Sequence, residues 1–316
     1  MKAMKVEGMT ANPMLVASEL ALPLLEDGDD VLIEVRATGV TPTELAWYPT
    51  THTKDGALRV GAAPGHEFSG VVAALGKGAT GFVVGQEVYG MNDWFADGAT
   101  AEYCLTKPQW IAPKPASLTH EEAATVPIGA LTAWQGLFAR AIVHAGQRVL
   151  VHGAAGAVGL FVVQLARMHG AYVIATVSGH NVDFVKELGA ELAINYRASR
   201  FEEVCGTVDV VFDTVGGETL DRSWQVLAPT GRVVTIAADV EGTRDQRAKG
   251  AFFIVEPSRQ ELEKIAALLD EGKLKTYVSA VVPLADASAA YGKTITKKLP
   301  YGKVVLAVSS HQEIHP

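Results

Sequence analysis

Two kinds of hydrophobic spacing divide the chain. Up to Leu105 the apolar positions come in short runs, VLIEVRATGV (31–40), FSGVVAALG (68–76), EVYGM (87–91) and ATAEYCL (99–105), set apart by Gly, Pro, Asp and Asn. Short β-rich runs between turn residues predict a barrel or sandwich. The period then changes. Thr119 with Glu122 forms a capping box that predicts a helix start at HEEAATV. From Arg148 strand and helix patterns alternate: RVLVHG, GAVGLFVVQLARMHG, AYVIATVS, NVDFVKELGA, ELAINY, VDVVFDTV, GRVVTI and AFFIV. A parallel sheet with crossover helices requires such alternation. Ser258 and Glu261 form a second capping box, and the helix they open carries Leu262, Ile265, Ala266 and Leu269 on one face before stopping at Gly272. YVSAVVPL and GKVVLAV return to strand patterns, so the tail is expected to rejoin the β-rich part.

Length and charge narrow the classes. A chain of 316 residues fits two domains better than one, because single cores stop growing near ~250–300 residues. The net charge of -8, with no dense Lys/Arg cluster, argues against a nucleic-acid partner. VLVHGAAGAVGLFVVQLA, between Arg148 and Arg167, is 18 residues without a charge, but its glycine cluster and its change from β-branched to helical pattern predict a buried strand, turn and helix rather than a membrane span. The start, MKAMKVEGMT, has no secretory apolar core, so a cytoplasmic protein is expected. Cys104 and Cys205 make no CxxC pair, hence neither a disulfide framework nor a cysteine zinc site is expected.

The turn VHGAAGAVG (151–159) lies between a strand and a helix. Glycines there let the backbone approach a pyrophosphate while the helix N–H groups hold its charge, which makes Ala155, Gly156, Ala157 and Val158 candidate cofactor contacts. Aligned on the helix side, G-x-G-x-x-G falls on Ala154, Gly156 and Gly159, so alanine replaces the first glycine. At the end of the second strand an NAD site places Asp or Glu, whereas this chain reads ATVSGHN. Ser178 and Asn181 can donate to a phosphate, with His180, Tyr196 and Arg197 nearby, so NADPH is the expected cofactor. The alternative is that these are ordinary polar loop residues.

As a set, ATGVTP (37–42), PGHEFSG (64–70), TAEY (100–103), EEAATVPIGALTAWQGLF (121–138), GAAGAVG, FVKELGAELAINYR, VDVVFDTVGG and GKVVLAV resemble the medium-chain dehydrogenase/reductase superfamily, in its zinc-independent quinone oxidoreductase or zeta-crystallin-like branch. The resemblance implies an α/β fold: a GroES-like β-barrel domain over 1–125, completed by 275–316, and a Rossmann doubly wound parallel sheet domain over 126–274 that binds NADP. It implies a cofactor cleft between the domains and a homodimer formed through AFFIVEP. It also implies that Thr41, where the family holds Asn, and Thr132 contact the nicotinamide end. Thr214, Val215 and Ala237 would flank the ring, with Phe253 closing over it.

His66 and Glu67 of PGHEFSG stand where zinc relatives hold a metal. The first cysteine position is Thr41 and the third aligns near Ile128, so no metal ligand set is expected; the His is read as hydrogen-bonded within its turn and the Glu as paired nearby. Conjugate reduction by hydride suits a site that works through orientation, so an enone, enal or quinone is the expected substrate. Tyr48 is the candidate acid, with solvent as the alternative donor and pocket wall as the alternative role of Trp47 and Tyr48. Asp93, Trp94 and Phe95 either shape the substrate mouth or cover surface. A trans-acting enoyl reductase and a non-catalytic zeta-crystallin-like structural or RNA-binding protein are the other readings.

Overall fold

The computed structural model describes residues 1–7, 13–25, 28–237 and 245–308. They divide into two compact units, Met1–Ile128 with Pro257–Lys273 and Tyr277–Pro316, and Gly129–Glu256 with Leu274–Thr276.

In the first unit β1 (Lys2–Glu7) and β2 (Met14–Glu19) form an antiparallel pair. The larger sheet runs β13 (Val278–Pro283), β14 (Lys303–Ala307), β3 (Val31–Gly39), β4 (Glu67–Leu75), β5 (Glu87–Met91), β7 (Ile111–Pro113), with β6 (Tyr103–Thr106) also on β3. Alternation along β3 and β4 turns Val31, Ile33, Val35, Phe68 and Val72 into one core with Val88 and Ile111. Burying a side chain such as Ile33 or Phe68 stabilises by roughly 1.5–3 kcal/mol. The predicted strand 99–105 is shorter: Ala101 makes only a bridge to Ala3. The backbone N–H groups of Ala99 and Thr100 are taken by Gly65 and Pro64 carbonyls, at 2.7 and 3.0 Å, so β6 starts at Tyr103.

Both capping residues act as the sequence predicts. Thr119 and Glu122 close a reciprocal box, and Ser258 Oγ accepts from Glu261 N at 3.3 Å. The helix Arg259–Asp270 belongs to the first unit although its sequence falls within 126–274. It buries Leu262, Ile265 and Leu269, accepts a 2.6 Å hydrogen bond from Tyr89 Oη at the Leu262 carbonyl, and accepts from Ser117 N at Asp270.

The second unit is built on β8 (Arg148–His152), β9 (Tyr172–Val177), β10 (Leu192–Asn195), β11 (Val208–Asp213) and β12 (Leu227–Thr235), all parallel in the order β10-β9-β8-β11-β12. Val149, Leu150, Val151, Val173, Ile174, Ala175, Val210, Val211 and Phe212 are all buried, the continuous apolar pattern of strands covered on both faces. AFFIV does not extend the ladder. Phe252 makes one parallel bridge to Thr235, after which the Glu256 backbone N–H and C=O bond to the Gln135 side-chain amide at 3.1 and 2.9 Å. Among the described residues no sixth strand joins this sheet.

Candidate active site

The strand order reverses between β8 and β11, and the carboxyl ends of those strands are where a doubly wound sheet opens a crevice. Both candidate loops begin there. Thr214, after β11, donates from Oγ1 to the His152 carbonyl at 2.8 Å, which ties its loop to the turn after β8. Gly153 sits at φ +70, a left-handed conformation that costs glycine nothing. A Cβ on Gly159 would run into the Gly153 carbonyl oxygen, so the turn can tighten only with that position bare. Ala155 is buried, while Gly156, Ala157 and Val158 reach the surface of the turn.

Buried side chains hold this geometry. Asp213 accepts from Val215 N at 3.1 Å, from Gly216 N at 3.1 and 3.2 Å, and from Thr235 Oγ1 at 2.7 Å. It thereby fixes the Thr214–Val215 loop and leaves Val215 exposed. His152 lies between Thr176 Oγ1 at 2.9 Å and Ser223 Oγ at 3.0 Å. Ser223 spends its only proton on the Thr219 carbonyl at 2.6 Å, so His152 Nε2 is the donor and Nδ1 accepts from Thr176. Burial, helped by the charge of Arg222 and opposed by Glu202, lowers the imidazole to about 3.

At the end of β9, Ser178 Oγ lies 3.1 Å from His180 Nε2, and Asn181 Nδ2 donates to Ser178 Oγ at 3.5 Å. Asn181 Oδ1 is buried without a hydrogen-bond partner. Tyr196 is exposed, its backbone N–H donates to the Val177 carbonyl at 3.1 Å, and the Arg197 guanidinium lies 5.7 Å from its ring. Thr132 is buried in the helix Pro127–Trp134; Ala237 N donates to Thr235 Oγ1 at 3.2 Å. Phe253 is buried, with Arg140 5.6 Å from its ring centroid.

In the first unit Thr41 caps the 3-10 turn Pro42–Ala46, and its carbonyl accepts from Glu44 N at 3.0 Å. Tyr48 is 51 % exposed and stacks on His52 with centroids 4.4 Å apart. His66 finds its partners outside its own turn: Nδ1 lies 3.0 Å from Glu44 Oε2 and Nε2 lies 3.2 Å from the Ala96 carbonyl. Glu44 is fully buried and also accepts from Gly65 N at 2.9 Å and from Tyr291 Oη at 2.6 Å. Glu67 forms a buried ion pair with Lys303 and accepts from Ile128 N at 3.0 Å. Burial pulls the Lys303 ammonium below its ordinary range, and Glu44 opposes it.

Residues 27–152 match the family model described as "Alcohol dehydrogenase GroES-like domain", and residues 188–306 match "Zinc-binding dehydrogenase". The chain is 33 % identical over 328 residues to a "Probable zinc-binding oxidoreductase, mitochondrial" of Arthroderma benhamiae, covering 95 % of this chain and 97 % of the relative. It is 33 % identical over 279 residues to the "2-methylene-furan-3-one reductase" of Solanum lycopersicum, covering 84 % and 68 %. The solved quinone oxidoreductase from Coxiella burnetii superposes with a TM-score of 0.85 at 29 % identity, over 98 % of this chain and 99 % of that one. The chain belongs to the medium-chain dehydrogenase/reductase family, in its quinone oxidoreductase branch. It is thus an oxidoreductase of a family that depends on a pyridine nucleotide.

Two groups implied by these relatives can be tested against the side chains of this oxidoreductase. Zinc does not fit: among the described residues no three His, Cys, Asp or Glu side chains gather to hold a metal, and both nitrogens of His66 already face oxygen partners. A dinucleotide does fit. The bare glycines at the switch point and the unmet Asn181 oxygen offer close approach and an unused acceptor. Sequence reasoning missed Glu44, His152 and Asp213, although His152 stands directly before the glycine turn and Asp213 directly before the loop it fixes.

Proposed function

We propose that the protein is an NADPH-dependent reductase of quinones and α,β-unsaturated carbonyls that transfers hydride without zinc. The observation that carries this reading is the glycine turn at the β8/β11 switch point together with a β9 end that offers Ser178, His180 and Asn181 and no carboxylate. Ala155, Gly156, Ala157 and Val158 would hold the pyrophosphate by backbone N–H groups and helix charge. Ser178, His180, Asn181 and Tyr196 would take the adenosine ribose and its phosphate, where an acid would repel the phosphate. Thr132, Thr214, Val215 and Ala237 remain the proposed supports of the nicotinamide end, with Phe253 acting from within the core. When bound, the nicotinamide supplies hydride to an electron-poor carbon.

Thr41 and Tyr48 are the proposed residues on the acceptor side. The exposed phenol of Tyr48 can hold and then give a proton to the enolate oxygen of a reduced acceptor. The first unit is proposed as the catalytic domain and the second as the nucleotide domain, in a cytoplasmic homodimer.

The test is loss of reduced-cofactor absorbance with 1,4-naphthoquinone and with 3-penten-2-one, using NADPH and NADH in parallel on chelator-dialysed protein. Turnover that prefers NADPH and survives the chelator is expected. Activity abolished by the chelator and restored by zinc, or an NADH preference, would overturn the corresponding half of the proposal.

A further inference from the structure

We infer that Trp47 and Trp94 form the surface that selects a planar, conjugated ring as hydride acceptor, and that His66 is the positioning residue that holds Trp94 there. The inference rests on the reductase reading above and names the substrate class of that site. The two indoles meet edge to face, with centroids 5.0 Å apart and planes at 81°. Both are half-buried. Trp47 is the C-cap of the short 3-10 helix Pro42–Ala46 that Thr41 begins, and it directly precedes Tyr48, so it lies in sequence between the two proposed site residues of this segment.

Trp94 is carried on a loop that is fastened along its length. Asn92 Nδ2 donates to the Asp97 and Leu105 carbonyls, each at 3.0 Å. Asp93 accepts from Phe95 N at 3.0 Å and pairs with Lys54 at 3.2 Å. Asp97 accepts from Arg59 at 2.7 Å and from Ala63 N at 3.1 Å. His66 completes the set: one nitrogen is held by the buried Glu44, the other reaches the Ala96 carbonyl, and its ring lies 5.2 Å from that of Trp94. The residue that zinc relatives place at a metal here anchors a loop. Its anchorage fixes the indole before any ligand arrives, so ordering costs little on binding. A quinone or aryl enone adds an offset-stacked ring to such a pair, whereas an aliphatic enone of similar reactivity gains only buried area.

The experiment compares wild type with Trp94→Leu, Trp47→Leu and His66→Asn, using 1,4-naphthoquinone and 3-penten-2-one as acceptors. In both Trp variants the KM for naphthoquinone is expected to rise about tenfold with kcat within about twofold, while both constants for pentenone and the KM for NADPH stay within about twofold. His66→Asn is expected to shift naphthoquinone KM in the same sense, which a merely structural role would not separate from kcat or from pentenone. A parallel rise for both acceptors, or no rise, overturns the inference. A second reading needs no turnover: saturable quenching of tryptophan emission by naphthoquinone without NADPH, weakened in Trp94→Leu, supports the surface, and its absence in wild type overturns it. If neither acceptor is reduced by wild type, the reductase reading falls while the emission titration still decides the indole pair.

Discussion

Acidification should act on the second unit through His152. The imidazole is fully buried between Thr176 and Ser223, donates to the latter, and is lowered from 6.5 to about 3 mainly by loss of water. A base whose folded value lies below its unfolded value binds its proton better when unfolded. Stability therefore falls as pH drops through 6.5 and goes on falling until about 3. Between pH 7 and 5 the loss from this one group is roughly 2 kcal/mol, since each unit of pH below 6.5 adds about 1.4 kcal/mol. Urea unfolding of wild type and His152→Gln at the two pH values measures it: wild type should lose about 2 kcal/mol more than the variant. Carboxylate effects common to both proteins cancel in that difference. The imidazole resonance of His152 gives an independent check in wild type alone and should stay neutral, with the proton on Nε2, at pH 5. Equal losses in the two proteins, or a resonance that titrates near 6.5, would refute the argument.

Three further outcomes follow from buried charge and close backbone approach. Lys303→Met strands Glu67 without its cation and should destabilise by about 3–5 kcal/mol in urea unfolding, with Glu67→Gln added to it recovering most of the loss. Gly159→Ala drives a Cβ into the Gly153 carbonyl, so the NADPH dissociation constant should rise at least about tenfold by fluorescence titration. Ser178→Asp puts a carboxylate where the extra phosphate is proposed to lie, and the ratio of kcat/KM for NADPH over NADH should fall about tenfold or more.

The parts of the fold that were legible in the sequence are those written in local patterns. The alternation from Arg148, the Thr119 box and the stop at Gly272 each depend on residues a few positions apart, and the structure forms each of them. AFFIV has the composition of a strand, yet it makes a single bridge to Thr235 and runs into Glu256, whose backbone groups bond to the amide of Gln135, more than a hundred residues away. The same holds at the site. The candidate phosphate turn, with Ala154, Gly156 and Gly159 at the fingerprint positions, is visible from its place between a strand and a helix, whereas nothing local marks Glu44 until Tyr291, Gly65 and His66 are seen to converge on it. Long-range partners of a polar residue leave no periodic trace.

The ion pair of Glu67 with Lys303 spans 236 positions, and the strand that carries Lys303 also lies between β3 and β13. Synthesis therefore delivers the pieces of the first unit in an awkward order. The parallel sheet is encoded between Arg148 and Thr235 and can finish while the ribosome is still adding the remainder. Until β14 emerges, however, Ala37–Gly39 of β3 lack their partner on an edge that β6 covers only over Val31–Glu34, and Glu67 lacks its counter-charge. The β-rich unit therefore completes its larger sheet only with β14, after the whole parallel sheet has been encoded, and the β3 edge is covered late.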